Sequence, residues 1–130
     1  MPKAGDTFRV RIKKAHLMWG THRYTDTREP IYGEGYIQIP QNVAKRLEIF
    51  NNNKLGAEVR YECHSIDGLY SGTLLAQGCS QAGEIYAKQF AEAGNLKGIG
   101  RWYEAVAAKE NGEVEVVFTS SNSMTIKYID

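Results

Sequence analysis

Apolar and polar residues alternate from Thr7 to Ile12, with Phe8, Val10 and Ile12 on one side and Arg9, Arg11 and Lys13 on the other. A period of two marks a strand with one buried face, so the chain opens on a strand whose outer face is basic. Alternation returns over Ala57–Cys63, where Ala57, Val59, Tyr61 and Cys63 share the inner side, and Asp67-Gly68 signals a hairpin leading to a strand over Leu69–Ala76. Those two strands are expected to pair antiparallel. Asn111-Gly112 turns into another alternating run with Val114, Val116 and Phe118 inward, and Met124–Ile129 closes the series. Tyr36-Ile37-Gln38-Ile39 reads as a short strand stopped by Pro40, which has no N–H to give a sheet ladder.

Two segments follow a helical period instead. Val43, Ala44, Leu47 and Phe50 fall at i, i+1, i+4 and i+7 and predict a helix over 41–50, halted by Asn51-Asn52-Asn53, with Lys45, Arg46 and Glu48 toward water. Leu96, Ile99, Tyr103 and Val106 predict a second short helix. Gly83–Phe90 fits either a strand or the start of a loop and stays open. The pairs Gly33/Gly35 and Gly98/Gly100 read as turns, because they complete neither a Walker loop nor a dinucleotide fingerprint. Six or seven short strands and two short helices, without βαβ alternation, give a mainly β class: an antiparallel sheet curled on itself as a seven-stranded open pseudobarrel.

Periodicity vanishes from Met18 to Gly35. Unstructured stretches of that length inside a compact domain are uncommon and often functional. Trp19, Tyr24 and Tyr32 argue against disorder, whose compositions are poor in aromatics, so the segment is expected to be an ordered arm. At 130 residues, residues 1–130 should form one domain around one core; ending on a strand, they read as a whole small protein or the first domain of a longer one. The start lacks the apolar stretch of a signal peptide and no run is long enough to span a membrane, which points to the cytoplasm and away from membrane partners. Cys63 and Cys79 are read as reduced thiols.

The formal net charge is only +1, but residues 1–30 hold seven Lys or Arg against three Asp or Glu, while the last 40 residues are net acidic. Such an asymmetry suggests a polyanion partner. Zinc would need Cys63, His64, Cys79, His16 and His22 in a spacing they do not have, and no metal or cofactor is expected. Cys63 and His64 point to opposite faces of a strand and cannot act as a catalytic pair. Glu113 and Glu115 share a strand face and would be the carboxylates of a small metal-dependent nuclease, but as the polar side of an amphipathic strand they need no such role. No catalytic site is recognised. The arm remains: Arg23 and Arg28 could reach guanine edges, His22 and Thr21 could donate to bases or phosphates, and Trp19, Tyr24 and Tyr32 could pack on sugars or prop the loop. Alternatively the rings form a small core under the loop and the arginines pair with Asp26 and Glu29. A protein-interaction or small-ligand barrel, with Trp19 and Tyr24 lining an apolar pocket, is a third reading.

The run Tyr36-Ile37-Gln38-Ile39-Pro40-Gln41-Asn42-Val43-Ala44-Lys45-Arg46-Leu47 resembles the strand, Ile-Pro and amphipathic helix of B3-like DNA-binding pseudobarrels, found in plant transcription factors and in the recognition domains of certain restriction endonucleases. The order of elements agrees along most of the chain. The resemblance implies a partner, double-stranded DNA, gripped in its major groove by two arms. The first maps onto Trp19–Tyr32. The second maps near Ser65–Tyr70 or, the better fit, onto Gln77–Gln89, with Ser80, Gln81 and Lys88 as its polar residues. Arg9, Arg11, Lys13 and Lys14 would then touch phosphates. The near-neutral charge leans toward the restriction-enzyme branch, which would make this a recognition domain without its own activity, with a monomer as the working expectation for its assembly.

Overall fold

The structure, a computed structural model, describes residues 2–13, 16, 35–51, 54, 56–78, 84–95 and 97–130. In chain order these form β1 (Thr7–Arg11), β2 (Ile37–Gln38), α1 (Gln41–Leu47), β3 (Arg60–Ser65), β4 (Ser71–Gln77), β5 (Gln89–Glu92), α2 (Gly98–Ala105), β6 (Glu113–Ser120) and β7 (Ser123–Ile129). The strands make one seven-stranded sheet in the order β1-β6-β7-β3-β4-β5-β2, with β1 and β2 at its edges. Neighbours run antiparallel except β3 and β7, a parallel pair in which Cys63 faces Met124 and Ser65 faces Ile126. Parallel neighbours need a crossover; here β4, β5, α2 and β6 lie between them in the chain. Sequence alternation specifies which face is buried, not the partner strand, so this pair was not foreseeable from it.

Most strands present alternate apolar residues to one common core, around which the sheet curls. Phe8, Val10 and Ile12, Tyr61 and Cys63, Val114, Val116 and Phe118, and Met124 and Ile126 are all buried, as their alternation predicts. Aromatic rings cross the interior: Phe8 lies 6.3 Å from Phe118, Phe118 lies 6.0 Å from Tyr61, and Tyr61 meets Phe90 edge-on at 5.2 Å. Rings at these separations gain contact beyond simple burial, and they join β1, β6, β3 and β5 through one core. Burial pushes the Cys63 thiol and the Tyr61 hydroxyl each up to about 12, so Cys63 is a core residue and not a nucleophile.

Several boundaries differ from the expectation. The first helix stops at Leu47, because Glu48 adopts the left-handed conformation (φ 56°, ψ 53°) and the Ile49 N–H closes on the Ala44 carbonyl. Ile49 then enters the core, and Phe50 leaves the helical face to form a β-bridge with Tyr86. Gly98 and Gly100 are not turns but the buried first turn of α2. The Asp67-Gly68 hairpin is present, yet its second strand begins at Ser71, leaving Leu69 in the turn and exposed. Asp67 latches this turn, accepting hydrogen bonds from the Ser65 hydroxyl, the Leu69 N–H (2.8 Å) and the Trp102 indole N–H (3.1 Å). Among the described residues no helix is long and apolar enough to cross a membrane.

Candidate functional site

Two long connections leave the barrel, one between β1 and β2 and one between β4 and β5, and the described residues show how each is rooted. At the first, the chain is pinched. The Tyr36 N–H donates to the His16 carbonyl (3.2 Å), and the Tyr103 hydroxyl of α2 donates to the Tyr36 carbonyl (2.7 Å). His16 is buried, its Nδ1 accepting the Lys13 N–H (3.1 Å) and its ring edge-on to Tyr36 at 4.9 Å. Desolvation and the nearby Lys13 charge lower its pKa from 6.5 to about 4, so the imidazole is neutral. Gly35 makes the pinch possible, because a Cβ there would stand 2.9 Å from the His16 carbonyl oxygen and 3.1 Å from the Gly100 backbone. His16 and Gly35-Tyr36 are therefore held side by side as a neck.

The second connection is rooted differently. The returning segment Glu84–Lys88 lies along Ile49–Asn51: the Asn51 N–H donates to the Ile85 carbonyl (2.8 Å) and the Ala87 N–H to the Ile49 carbonyl (2.9 Å). The buried Asn51 amide reaches both the Glu84 carbonyl (3.2 Å) and the Tyr86 carbonyl (3.3 Å), clamping the segment with one side chain. Gly78 is required at the exit, since a Cβ would lie 2.7 Å from that amide nitrogen. On the outside, Phe50 and Tyr86 stack at 5.5 Å, with the Lys54 ammonium 5.5 Å from the Phe50 ring centre and the Lys45 ammonium 6.0 Å from that of Tyr86. Beside them a groove of ≈ 200 Å³ is lined by Gln38, Ile39, Gln41, Glu84, Tyr86, Ala87 and Lys88.

The basic face of β1 forms a third region. Arg9, Arg11 and Lys13 are exposed, as predicted, and run toward the neck. They face carboxylates on β6: Arg9 pairs in register with Glu115 and Arg11 with Glu113, while Lys127 of β7 stands opposite Glu115. Arg9 is bound to Glu115, its Nε and Nη2 both 2.9 Å from one carboxylate oxygen. Lys88, also exposed, sits at the far edge of the sheet, where its N–H and carbonyl bridge Gln77 and Ile39. Lys14, Trp19, Thr21, His22, Arg23, Tyr24, Arg28, Tyr32, Ser80 and Gln81 lie outside the described residues. Among the described residues no three His, Cys, Asp or Glu side chains gather as a metal site.

The fold has a precedent. The chain is similar in structure to one solved in the Arabidopsis FUS3–DNA complex, with a TM-score of 0.58, 12% sequence identity and 95% of each chain covered. The two share a fold over nearly their whole lengths. No protein-family model and no curated protein matches the chain.

Sequence reasoning missed two features. The rim of Lys45, Phe50, Lys54 and Tyr86 was invisible because its rings are 36 residues apart and Phe50 was assigned to a helix face. The neck was missed because His16 was weighed only as a metal ligand; Tyr36 and Gly35, flanking the same short strand, were the available signal.

Proposed function

We propose that this chain is a double-stranded DNA-binding module of the B3-like kind, using its two long connections as arms in the major groove. The observation that carries the reading is the shared fold with a protein solved in complex with DNA, at 95% coverage of both chains. Two further features support it. The basic residues Arg11 and Lys13 lead into the neck, and residues 17–34, which lie between its two sides in the sequence, are where Trp19, His22, Arg23, Tyr24, Arg28 and Tyr32 mix cations with rings. The β3–β4 connection is a latched turn of five residues, Ile66–Tyr70, which favours the segment between Gln77 and Gln89 as the second arm.

In this reading Arg23, Arg28 and His22 read base edges, Thr21, Trp19, Tyr24 and Tyr32 shape or pad the first arm, Ser80, Gln81 and Lys88 serve the second, and Arg11, Lys13, Lys14 and, less freely, Arg9 contact phosphates. The nuclease reading gains nothing, since Glu115 is held by Arg9 and faces Lys127. The likeness is to a plant protein, so a role as the recognition part of a restriction enzyme rests only on the near-neutral charge.

The test is selection of bound duplexes from a random pool, followed by Arg23→Ala and Arg28→Ala on the selected site. Each change should cost about 1 to 3 kcal/mol and relax the preferred sequence. No enrichment and no salt-dependent binding to any duplex would defeat the proposal.

A further inference from the structure

We infer that the rim beside the second connection is a docking surface for the DNA backbone, with Lys45 and Lys54 contacting phosphates and the Phe50–Tyr86 stack holding them in place. This rests on the DNA-binding reading above and extends the interface beyond the two arms, to α1 and the loop that follows it.

Lys45 and Lys54 lie over aromatic rings, and no ion pair to either is seen among the described residues. A ring face attracts an ammonium without neutralising it. The cation is oriented, keeps its full charge and has little to give up when a phosphate arrives. The rings are themselves fixed, because Phe50 and Tyr86 sit in a β-bridge and Asn51 clamps the backbone on either side of Ile85. Side chains so restrained lose less freedom on binding than lysines on an open helix.

The surroundings fit a sugar–phosphate strand. The adjoining groove carries the amides of Gln38 and Gln41 and the exposed Lys88 on its wall. These supply neutral donors and a third cation on the groove that Tyr86 also lines. Glu84 is the one carboxylate lining the groove, and its Oε1 is occupied by the Tyr86 N–H at 2.9 Å. The position also fits, since Lys88 and Gly78 bracket the second connection, so a duplex gripped there would bring its backbone across this rim.

The experiment compares the wild-type chain with Lys45→Gln/Lys54→Gln in binding a labelled mixed-sequence duplex across a range of salt. Both lysines are exposed, so thermal stability should be unchanged, and a matching melting curve verifies it. If both contact phosphates, the slope of log affinity against log salt becomes shallower by about two, and affinity at about 0.1 M salt falls on the order of tens of fold. Wild-type binding with an unaltered slope in the double variant overturns the rim and leaves the DNA reading standing. Absence of wild-type binding removes both.

Discussion

The outer wall at β1 and the rim at Tyr86 are both basic in sequence, yet they hold their charge in opposite ways. On the wall, Arg9 is bound to Glu115 and Arg11 stands in register with Glu113, so a phosphate approaching Arg9 meets a cation already partnered with an anion. At the rim, Lys45 and Lys54 rest on rings that leave their charge uncancelled. A count of Lys and Arg treats the regions alike and favours the amino-terminal one. What a surface offers to a polyanion depends instead on what each cation must release first, and an exposed arginine held by a carboxylate contributes less than its formal charge.

The two regions also differ in how they are built, and the largest effect comes from exploiting that. The wall is part of a continuous ladder, whereas the rim is held by a short backbone pairing and one buried amide. Asn51→Ala removes the donor to the Glu84 and Tyr86 carbonyls and should cost about 1 to 3 kcal/mol in urea unfolding, because two part-buried acceptors lose a hydrogen bond and the buried amide leaves a gap. Duplex binding should weaken along with it as Tyr86 loses its position. A cost under about 0.5 kcal/mol would mean the segment is held by its backbone pairing alone.

Acid should loosen the neck while leaving the rim alone. The fold lowers the His16 pKa from 6.5 to about 4 by burying it beside Lys13. Between those values the unfolded chain binds a proton that the folded chain refuses. The stability from neutral His16 is therefore complete above pH 6.5 and is lost as pH falls toward about 4, by on the order of 2 kcal/mol. A proton NMR titration of the His16 imidazole checks this directly, and a midpoint near 6.5 would show that the neck is open to water.

The barrel was legible to the degree that alternation encodes it. Phe8, Val10 and Ile12 or Val114, Val116 and Phe118 announce both a strand and its buried face, because the two-residue period leaves no other arrangement. Pairing was less legible. Nothing in Met124–Ile129 marks it as the parallel neighbour of β3, and nothing in Phe50 marks it as the partner of Tyr86. The helix end at Leu47 was hidden for a related reason: Glu48 takes a left-handed conformation that glycine normally signals, held there because Ile49 is pulled into the core. For the site, the exposed face of Arg9, Arg11 and Lys13 was readable from one strand, but the neutralisation of Arg9 by Glu115 of β6 needed the register.

That neutralisation gives the finest test of the comparison. Arg9 and Glu115 are partly exposed, at 56% and 26%, so Glu115→Gln should change stability by less than about 1 kcal/mol. Its effect on binding should be opposite to that of the rim variant. With Glu115 neutral, Arg9 loses its carboxylate partner and is free to turn toward a phosphate; duplex affinity should rise several-fold and the salt slope steepen by about one. Arg9→Gln in the wild-type background should then cost less than Arg9→Gln in the Glu115→Gln background, because only in the second case is the guanidinium available. If the two costs are equal, the ion pair does not restrain Arg9, and the wall and the rim are equivalent sources of charge after all.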